Sequence, residues 1–431
     1  MITLELCERD KKAQQSLAFL KKIFVHHTSR DFAIRLWDGS CLALEAGQTC
    51  RFTLVINYPR VLRKLLWHPT QLNLGQAYVF KDLEIEGDLE AALKLPEIMT
   101  GIHVKWREKI SYAKWLLSLP ATDKAYKTHS MAPANGGSAG RERVRKAISF
   151  HYDLPVPFWK KVLDDSMQYS CAYFHSWEED LNTAQTHKVD YICRKLMLKP
   201  GETFLDVGCG WGGLILHAAQ HYGVHALGVT VSREQAEFAR DQIRQRGLSS
   251  RCRVELVDFR DLTGRERFNK IASVGSVEHA HSYMGAYFET AWRLLTRGGL
   301  FLNHGISSTF QYELPSAPHS FINQYVFPDG EVDPVSLTLE IAEKTGFEIR
   351  DVENLREHYA QTLQLWVKNL DRKCESIQKI SGEVTWRVFK LYMTACAHNF
   401  SLGHLNLFQT LLTKSDRGQN PLPATRKEWY V

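Results

Sequence analysis

Thr203-Phe204-Leu205-Asp206-Val207-Gly208-Cys209-Gly210-Trp211-Gly212-Gly213 is the stretch on which the fold turns. Phe204, Leu205 and Val207 form an apolar run that reads as a buried parallel strand. A glycine-rich turn follows, and Leu214 to Gln220 reads as a helix. Glycine serves such a turn twice: it can take φ > 0, and without a Cβ it lets the backbone approach a ligand. The turn is not a P-loop, because no Gly-Lys-Ser/Thr follows. Through Gly213 the letters do satisfy G-x-G-x-x-G, the dinucleotide fingerprint. Against that reading, Thr230 ends the next strand, where a dinucleotide fold wants an acid. A tight strand-to-helix turn with no ligand is the plain alternative.

Outward from that stretch, 431 residues suggest two or three domains. Hydrophobic residues at 44% and charged residues at 24% are ordinary for a globular chain with a sizeable core. The formal net charge of +6 is mildly basic and fits an anionic surface such as phospholipid or nucleic acid, though many soluble proteins share it. Nine cysteines, an odd number without regular spacing, read as free thiols in a reducing compartment. Met1 to Gln15 is largely polar and charged, so no secretory signal is expected. No window of eighteen apolar residues occurs, so a membrane, if involved, is met at its surface.

Residues 1–120 read as a small α+β domain. Leu17, Leu20, Ile23 and Phe24 give helical spacing within Lys11 to Phe24. Phe32 to Trp37 runs into Asp38-Gly39, a hairpin dipeptide, with Cys41 to Leu44 as the return strand. Phe52 to Ile56 is a third strand, Val61 to Trp67 a short helix, and Gly75 to Tyr78 with Leu83 to Asp88 completes the pattern. No paired acid and base, metal spacing or phosphate loop occurs there, so packing, membrane docking or self-association is its expected role. Ile102 to Leu119 sets Trp106, Ile110, Trp115 and Leu116 among Lys105, Arg107, Lys109 and Lys114. Such a helix can lie on a membrane or pack on its own protein with a solvated basic face. Pro133, Gly136, Gly137, Ser138 and Gly140 mark 121–140 as a flexible linker.

Residues 141–431 follow as the catalytic domain. Candidate strands are Phe204–Val207, Ala226–Thr230, Val254–Val257, Ile271–Val274 and Leu300–His304, with helical segments between most of them. That alternation predicts a doubly wound α/β sheet. Ligands on such sheets sit at the carboxyl ends of the strands. Thr230, Asp258, Glu278 and His304 lie at or just beyond those ends. Ser232 with Gln235 reads as a capping box.

With Asp206 in front, the glycine turn resembles the first motif of class I S-adenosylmethionine (SAM)-dependent methyltransferases. Four further stretches narrow the resemblance. They are His151-Tyr152-Asp153-Leu154 leading to Tyr169-Ser170-Cys171-Ala172-Tyr173-Phe174; Ser273-Val274-Gly275-Ser276-Val277-Glu278-His279; Asn303-His304-Gly305-Ile306 with Tyr325 to Glu331; and His358-Tyr359-Ala360-Gln361-Thr362-Leu363 with Trp366. Together they resemble the cyclopropane-fatty-acyl-phospholipid synthases and mycolic acid cyclopropane synthases over about residues 145 to 415. The resemblance implies a Rossmann-like class I methyltransferase sheet, with the smaller α+β domain before it.

It also implies roles. SAM contacts fall to Tyr169 and Ser170, to Asp206, Gly208, Cys209, Gly210, Trp211 and Gly212, to Thr230 and Gln235, and to Asp258 and Phe259. Cys171, Glu278, His304, Ile306 and Tyr359 match residues that hold a bicarbonate ion. Cys396 matches a cysteine discussed as a catalytic thiol, although helical apolar spacing over Val388 to Phe400 makes it a packing residue first. No metal ligand is implied. Ser276 and Ala280 depart from the family pattern, which places bulkier residues there to shape the acyl channel.

The chemistry wants such a set. An isolated alkene is a poor nucleophile, and the SAM sulfonium is an electrophile strong enough to methylate it once the two are aligned. The resulting cation needs a dry site and aromatic faces such as Tyr173 or Phe174. A base must then remove a proton from the added methyl to close the ring. Bicarbonate suits that task; His304, Tyr359 and backbone N–H groups can donate to it, and Glu278 can accept from its hydroxyl. The expected partners are a phospholipid membrane surface and unsaturated acyl chains, with no nucleic acid; a homodimer stays open. The expected location is cytoplasmic, peripheral at the inner membrane face. Methyl-branching of the same chains, or N-methylation of a small amine, are the rival activities, and a lipid-carrying scaffold is the non-enzymatic one.

Overall fold

A computed structural model describes residues 10–24, 30–44, 47–68, 70–100, 106–120, 154–312, 320–327, 331–419 and 421–430. His151 to Asp153, the expected linker, Ile102, Lys105 and Pro328 to Gly330 lie outside the described residues.

The chain forms two compact units. The first lies within Met1–Ser130 together with Pro315–Val326 and Arg387–Ala395. Its helix Lys11–Phe24 buries Phe19, Leu20 and Ile23. Its sheet has the order β2-β1-β3-β4, from β1 (Phe32–Arg35), β2 (Cys41–Leu42), β3 (Phe52–Ile56) and β4 (Leu83–Gly87). Asp38-Gly39 makes the expected turn, with Gly39 at φ +82° and Leu36 N–H donating to Ser40 O. The helix Trp106–Ser118 packs inward: Trp115 stacks on Phe19 at 4.0 Å and Leu116 is buried. Ile110, Leu117 and Lys114 remain on its outer side.

Two late stretches join this unit, which a linear division at 121–140 does not foresee. A Cβ at Gly75 would overlap the Phe321 ring. Gln76 Nε2 donates to Tyr325 Oη at 3.2 Å. Buried Arg387 donates to Tyr78 O and pairs with Glu84. A guanidinium taken out of water needs such acceptors, and the helix Gln71–Val79 and β4 supply them.

The second unit holds a seven-stranded sheet of order β10-β11-β9-β8-β5-β6-β7. Its strands are β5 (Thr203–Val207), β6 (His225–Thr230), β7 (Cys252–Leu256), β8 (Phe268–Val274), β9 (Leu295–Ser308), β10 (Glu348–Asn354) and β11 (Leu405–Thr413). The five predicted strands are all present and pair in parallel. β10 and β11, not predicted, close the edge antiparallel. Phe204 and Leu302 face one apolar layer with the helices Leu181–Lys195 and Gly213–His221; Leu205, Val207 and Phe301 face the other. The chain leaves β5 toward β6 on one side and returns through β8 on the other. That reversal opens a crevice at the carboxyl ends of β5 and β8.

Candidate active site

A cleft opens at that reversal, and eleven of the twelve residues expected to contact a cofactor line it. The exception is Gly212. It caps the following helix at φ +89°, and a Cβ there would press on Ala239 at 3.0 Å. Gly212 therefore serves the turn and its packing. Gly210, at φ +53°, has open space where a Cβ would stand. Gly208 and Cys209 donate N–H bonds to Val229 O, tying the turn to β6. Ser276, expected near an acyl channel, braces the turn instead: its Oγ donates to Val207 O at 3.1 Å, and a Cβ at Gly208 would overlap it. Ala280, the other departure, is fully buried in the layer that holds Val207.

A strap, residues 164–170, forms the opposite wall, with Met167, Gln168, Tyr169 and Ser170 facing the cleft. Asp164 fastens it locally, accepting N–H bonds from Ser166 and Gln168. Gly213, the last glycine of the fingerprint, is needed for this contact: a Cβ there would overlap Gln168 Nε2 and crowd Ser166 O. Lys188, which the sequence reading passed over, is buried beneath. Its Nζ donates to Gln168 Oε1 at 2.6 Å and Ser170 Oγ at 2.9 Å. Burial lowers the Lys188 ammonium to about 8, against Asp164, Cys171 and Asp206. Burial raises Asp206 to about 7, and Lys188 pulls it back. Lys188 was legible as a cation on the stripe Leu181, Ala184, Gln185, Lys188, Ile192, which is buried throughout.

The far wall carries Thr230, Gln235, Asp258 and Phe259. Ser232 caps its helix by accepting from Gln235 N, as expected. The Gln235 side chain does not complete the box; it accepts from Thr230 Oγ1 at 2.8 Å. Asp258 caps a short turn and takes two bonds from the Arg260 guanidinium, at 2.9 and 2.6 Å. Arg260 lies 3.9 Å over the Tyr283 ring.

Glu278, His304, Tyr359, Cys171, Ile306 and Cys396 do not line this cleft. Cys171, Glu278 and Cys396 neighbour Tyr359, as does the cleft residue Tyr169, and Ile306 binds Glu278; His304 stands on β9 beside Gln409. Ile306 N–H donates to Glu278 Oε1 at 2.8 Å, so Ile306 meets the site by holding the carboxylate. Glu278 is half-buried, yet its Oε2 is buried without a partner. Burial pushes this carboxyl up to about 7. His304 is buried on β9, and burial, helped by Lys188 and Lys195, holds its pKa at about 3. Gln409 Nε2 donates to its Nδ1 at 3.2 Å, leaving the proton of the neutral ring on Nε2. That Nε2 is also buried without a partner.

Burial pushes the Tyr359 phenol well up, and Tyr169, Cys171, Glu278 and Cys396 act on it in the same direction, so these groups are neighbours. The Cys171 thiol is likewise raised by burial and donates to Ala172 O at 3.1 Å. Cys396 is buried within the helix Glu383–Leu402.

The rings differ from expectation. Tyr173 is stacked between Tyr191 at 4.3 Å and His358 at 4.9 Å, and Phe174 N–H donates to His358 Nδ1. Neither lines the cleft. Two rings of the cleft wall, Trp211 and Tyr169, belong to a chain that runs through the buried Trp159 and Trp366: Trp211, Trp159, Tyr169 and Trp366 have centroids 5.3, 4.6 and 5.1 Å apart, and Tyr359 lies 6.2 Å beyond. Trp366 stood beside the fourth motif; Trp159 stands five residues after Leu154 of the first. His175, Glu179 and His187 offer ligand-type atoms within 4.8 Å of one another. The two imidazoles stack at 3.9 Å and 11°. Nitrogen lone pairs lie in the ring planes, so these near-parallel rings do not converge on one ion.

Residues 140–410 match the family model of the mycolic acid cyclopropane synthetases, and 19–96 match a domain of unknown function. The chain belongs to the mycolic acid cyclopropane synthetase family. That makes it a SAM-dependent methyltransferase of the cyclopropane synthase kind. A probable fatty acid methyltransferase of Pseudomonas putida is 34% identical over 92% of this chain and 95% of its own. Cyclopropane mycolic acid synthase 1 of Mycobacterium tuberculosis is 35% identical over 61% of this chain and 94% of its own. The crystal structure of the mycolic acid cyclopropane synthase CmaA1 with SAH (S-adenosylhomocysteine) and CTAB superposes with a TM-score of 0.59 at 32% identity, covering 62% of this chain and 97% of that one.

Proposed function

We propose that this enzyme converts a cis double bond of a phospholipid acyl chain into a cyclopropane ring, with SAM as methylene source and bicarbonate as base. The observation that carries the reading is the pair of buried, unpartnered atoms Glu278 Oε2 and His304 Nε2. One is an acceptor and the other a donor, the two functions that a small ion with its own hydroxyl needs. Leaving such atoms unpaired is costly.

SAM, when bound, supplies an activated methyl group. Bicarbonate, when bound, supplies a small base usable at neutral pH. The chain's own residues do the rest. The glycine turn and the strap enclose the methyl donor. His304 and Tyr359 would donate to the ion, and Glu278 would accept from its hydroxyl. Tyr169, on the cleft wall, would offer a π face to a cation on the lipid, and the rings packed behind it, Trp159 and Trp366, help keep water away. The Pseudomonas relative's name favours a second reading, methyl-branching without ring closure.

No helix among the described residues is long and apolar enough to cross a membrane. Docking on a phospholipid surface, at the inner face of the membrane, is supported by exposed Ile110 and Leu117 beside Lys114 on one helix. The test is turnover on vesicles of unsaturated phospholipid, in carbonate-free buffer and with bicarbonate added. Proton NMR of the product lipid separates cyclopropane from branched alkene. Bicarbonate-dependent formation of cyclopropane is expected. Activity indifferent to bicarbonate, or a product without ring protons, would overturn the reading. Replacing Ile110 and Leu117 with Asp should weaken vesicle binding; unchanged binding would remove the docking surface.

A further inference from the structure

We infer that Lys188, assisted by Gln185, is the positioning residue that fastens the strap over the cofactor cleft and thereby sets the affinity for SAM. The inference rests on the SAM-binding reading of the cleft. Lys188 and Gln185 stand three apart on the helix Leu181–Lys195, so they share a face. Lys188 holds the two strap side chains that flank Tyr169, namely Gln168 and Ser170. Gln185 Nε2 holds the strap backbone at Ser170 O, at 2.8 Å. Both side chains are almost wholly buried. Fixing the wall before the ligand arrives removes an ordering cost from binding.

The ammonium also stands under a carboxylate of the cleft. The groups that face it are Asp164 and Cys171 on and after the strap, Asp206 on β5 and His304 on β9. Asp206 lines the cleft and is the charge that Lys188 balances. Loss of the Lys188 charge would leave Asp206 buried without a counter-charge and loosen the two bonds to the strap together.

The test measures SAH binding by calorimetry across pH 6.5 to 9.5, with thermal unfolding as a fold check, for wild type, Lys188→Met, Gln185→Leu and Ser170→Ala. Methionine keeps the length and removes both charge and donors. Binding by Lys188→Met should be about tenfold weaker or worse, since charge-assisted bonds are lost. Wild-type affinity should fall as pH rises past about 8, where the ammonium loses its proton, and the methionine profile should lack that step. A folded Lys188→Met that binds SAH within about twofold of wild type at pH 7.5 overturns the inference. Should that variant not fold, Gln185→Leu and Ser170→Ala decide: a loss of roughly threefold or more in each supports the strap role, and unchanged affinity in either overturns it. Wild type that does not bind SAH would instead overturn the cofactor reading itself.

Discussion

In the cleft around the glycine turn, each carboxylate has its cation: Asp206 has Lys188, and Asp258 has Arg260. In the pocket behind it, Glu278 has a backbone N–H from Ile306, and among the described residues no cation lowers its pKa. His304 there is held neutral. The two regions therefore recognise ligands differently. The cleft pairs each carboxylate with a cation, although burial still raises Asp206 to about 7, and its walls are backbone at the turn and a strap fixed by hydrogen bonds. Glu278 Oε2 and His304 Nε2 are buried without a partner, and the Glu278 carboxyl is raised to about 7 with a backbone N–H as its only pull downward from another residue. On the bicarbonate reading proposed above, the carboxylate would share a proton with the ion rather than oppose it as a bare charge.

The largest effect expected from breaking this contrast falls on the cleft. Gly210 holds φ +53° with open space beyond. Valine there adds strain of about 1–2 kcal/mol for the left-handed backbone, and it fills space the cofactor needs. SAH binding should drop below detection while the protein still unfolds cooperatively. Binding near wild-type strength would separate the glycine turn from the cofactor.

Next comes the pocket. Glu278→Gln should slow turnover by about tenfold to a hundredfold, the loss of one charge-assisted bond, with SAH affinity unchanged. The same substitution has a signature in stability. Folding raises the Glu278 carboxyl from 4.5 to about 7. The native state thus holds its proton more tightly than the unfolded chain. The associated stability is complete below about pH 4.5 and is lost as pH rises through about 7, a change of up to about 3 kcal/mol. Wild type should therefore melt lower than Glu278→Gln at pH 8, with the gap closing toward pH 5. A glutamine variant as active as wild type, or melting curves that run in parallel, would make Glu278 an ordinary strand-end cap.

The cleft was readable in the sequence because its determinants are local. A strand, three glycines and a helix follow one another between Thr203 and His221, and backbone sterics leave little choice there. The five parallel strands were readable for a similar reason, as apolar runs between helical patterns. β10 and β11 were not, because Glu348–Asn354 is largely polar and finds its place only by pairing with β11. The pocket was legible only through the motif resemblance, since Glu278, His304 and Tyr359 meet from distant parts of the chain. What the motifs did not convey is what each group does with its bonds. Ile306 spends its N–H on Glu278, Ser276 braces the turn, and Tyr173 stacks away from the cleft. The strap's fastening at Lys188 joins residues on separate elements, which periodicity alone does not pair.

A smaller effect is expected at the outer wall of the cleft. Asp258→Asn would keep the cap to Arg260 N and weaken the ion pair with the Arg260 side chain. The pair is partly exposed, so its stability contribution is at most about 1 kcal/mol. SAH should bind roughly threefold to tenfold more weakly, as expected when a carboxylate acceptor becomes an amide. An unchanged SAH affinity would reduce Asp258 to a loop cap.

The smallest effect is expected at Cys396, and it tests whether the pocket needs a thiol at all. Cys396 is buried within the helix Glu383–Leu402, and its neighbour Tyr359 stacks against Phe400 one turn later. A buried cysteine in such a place behaves as a small apolar group. A thiol becomes a useful nucleophile or base only as thiolate, which a cation or a helix N-terminus favours; Cys396 sits in the later half of its helix and adjoins the Tyr359 phenol. Serine preserves the shape and adds a hydroxyl that can bond back to the helix carbonyl four residues earlier. Cys396→Ser should therefore retain turnover within about threefold and lose about 1 kcal/mol of stability. The measurement is initial rate on unsaturated phospholipid beside a thermal melt. A folded serine variant without turnover would move the proton-accepting role from the Glu278 pocket to the thiol.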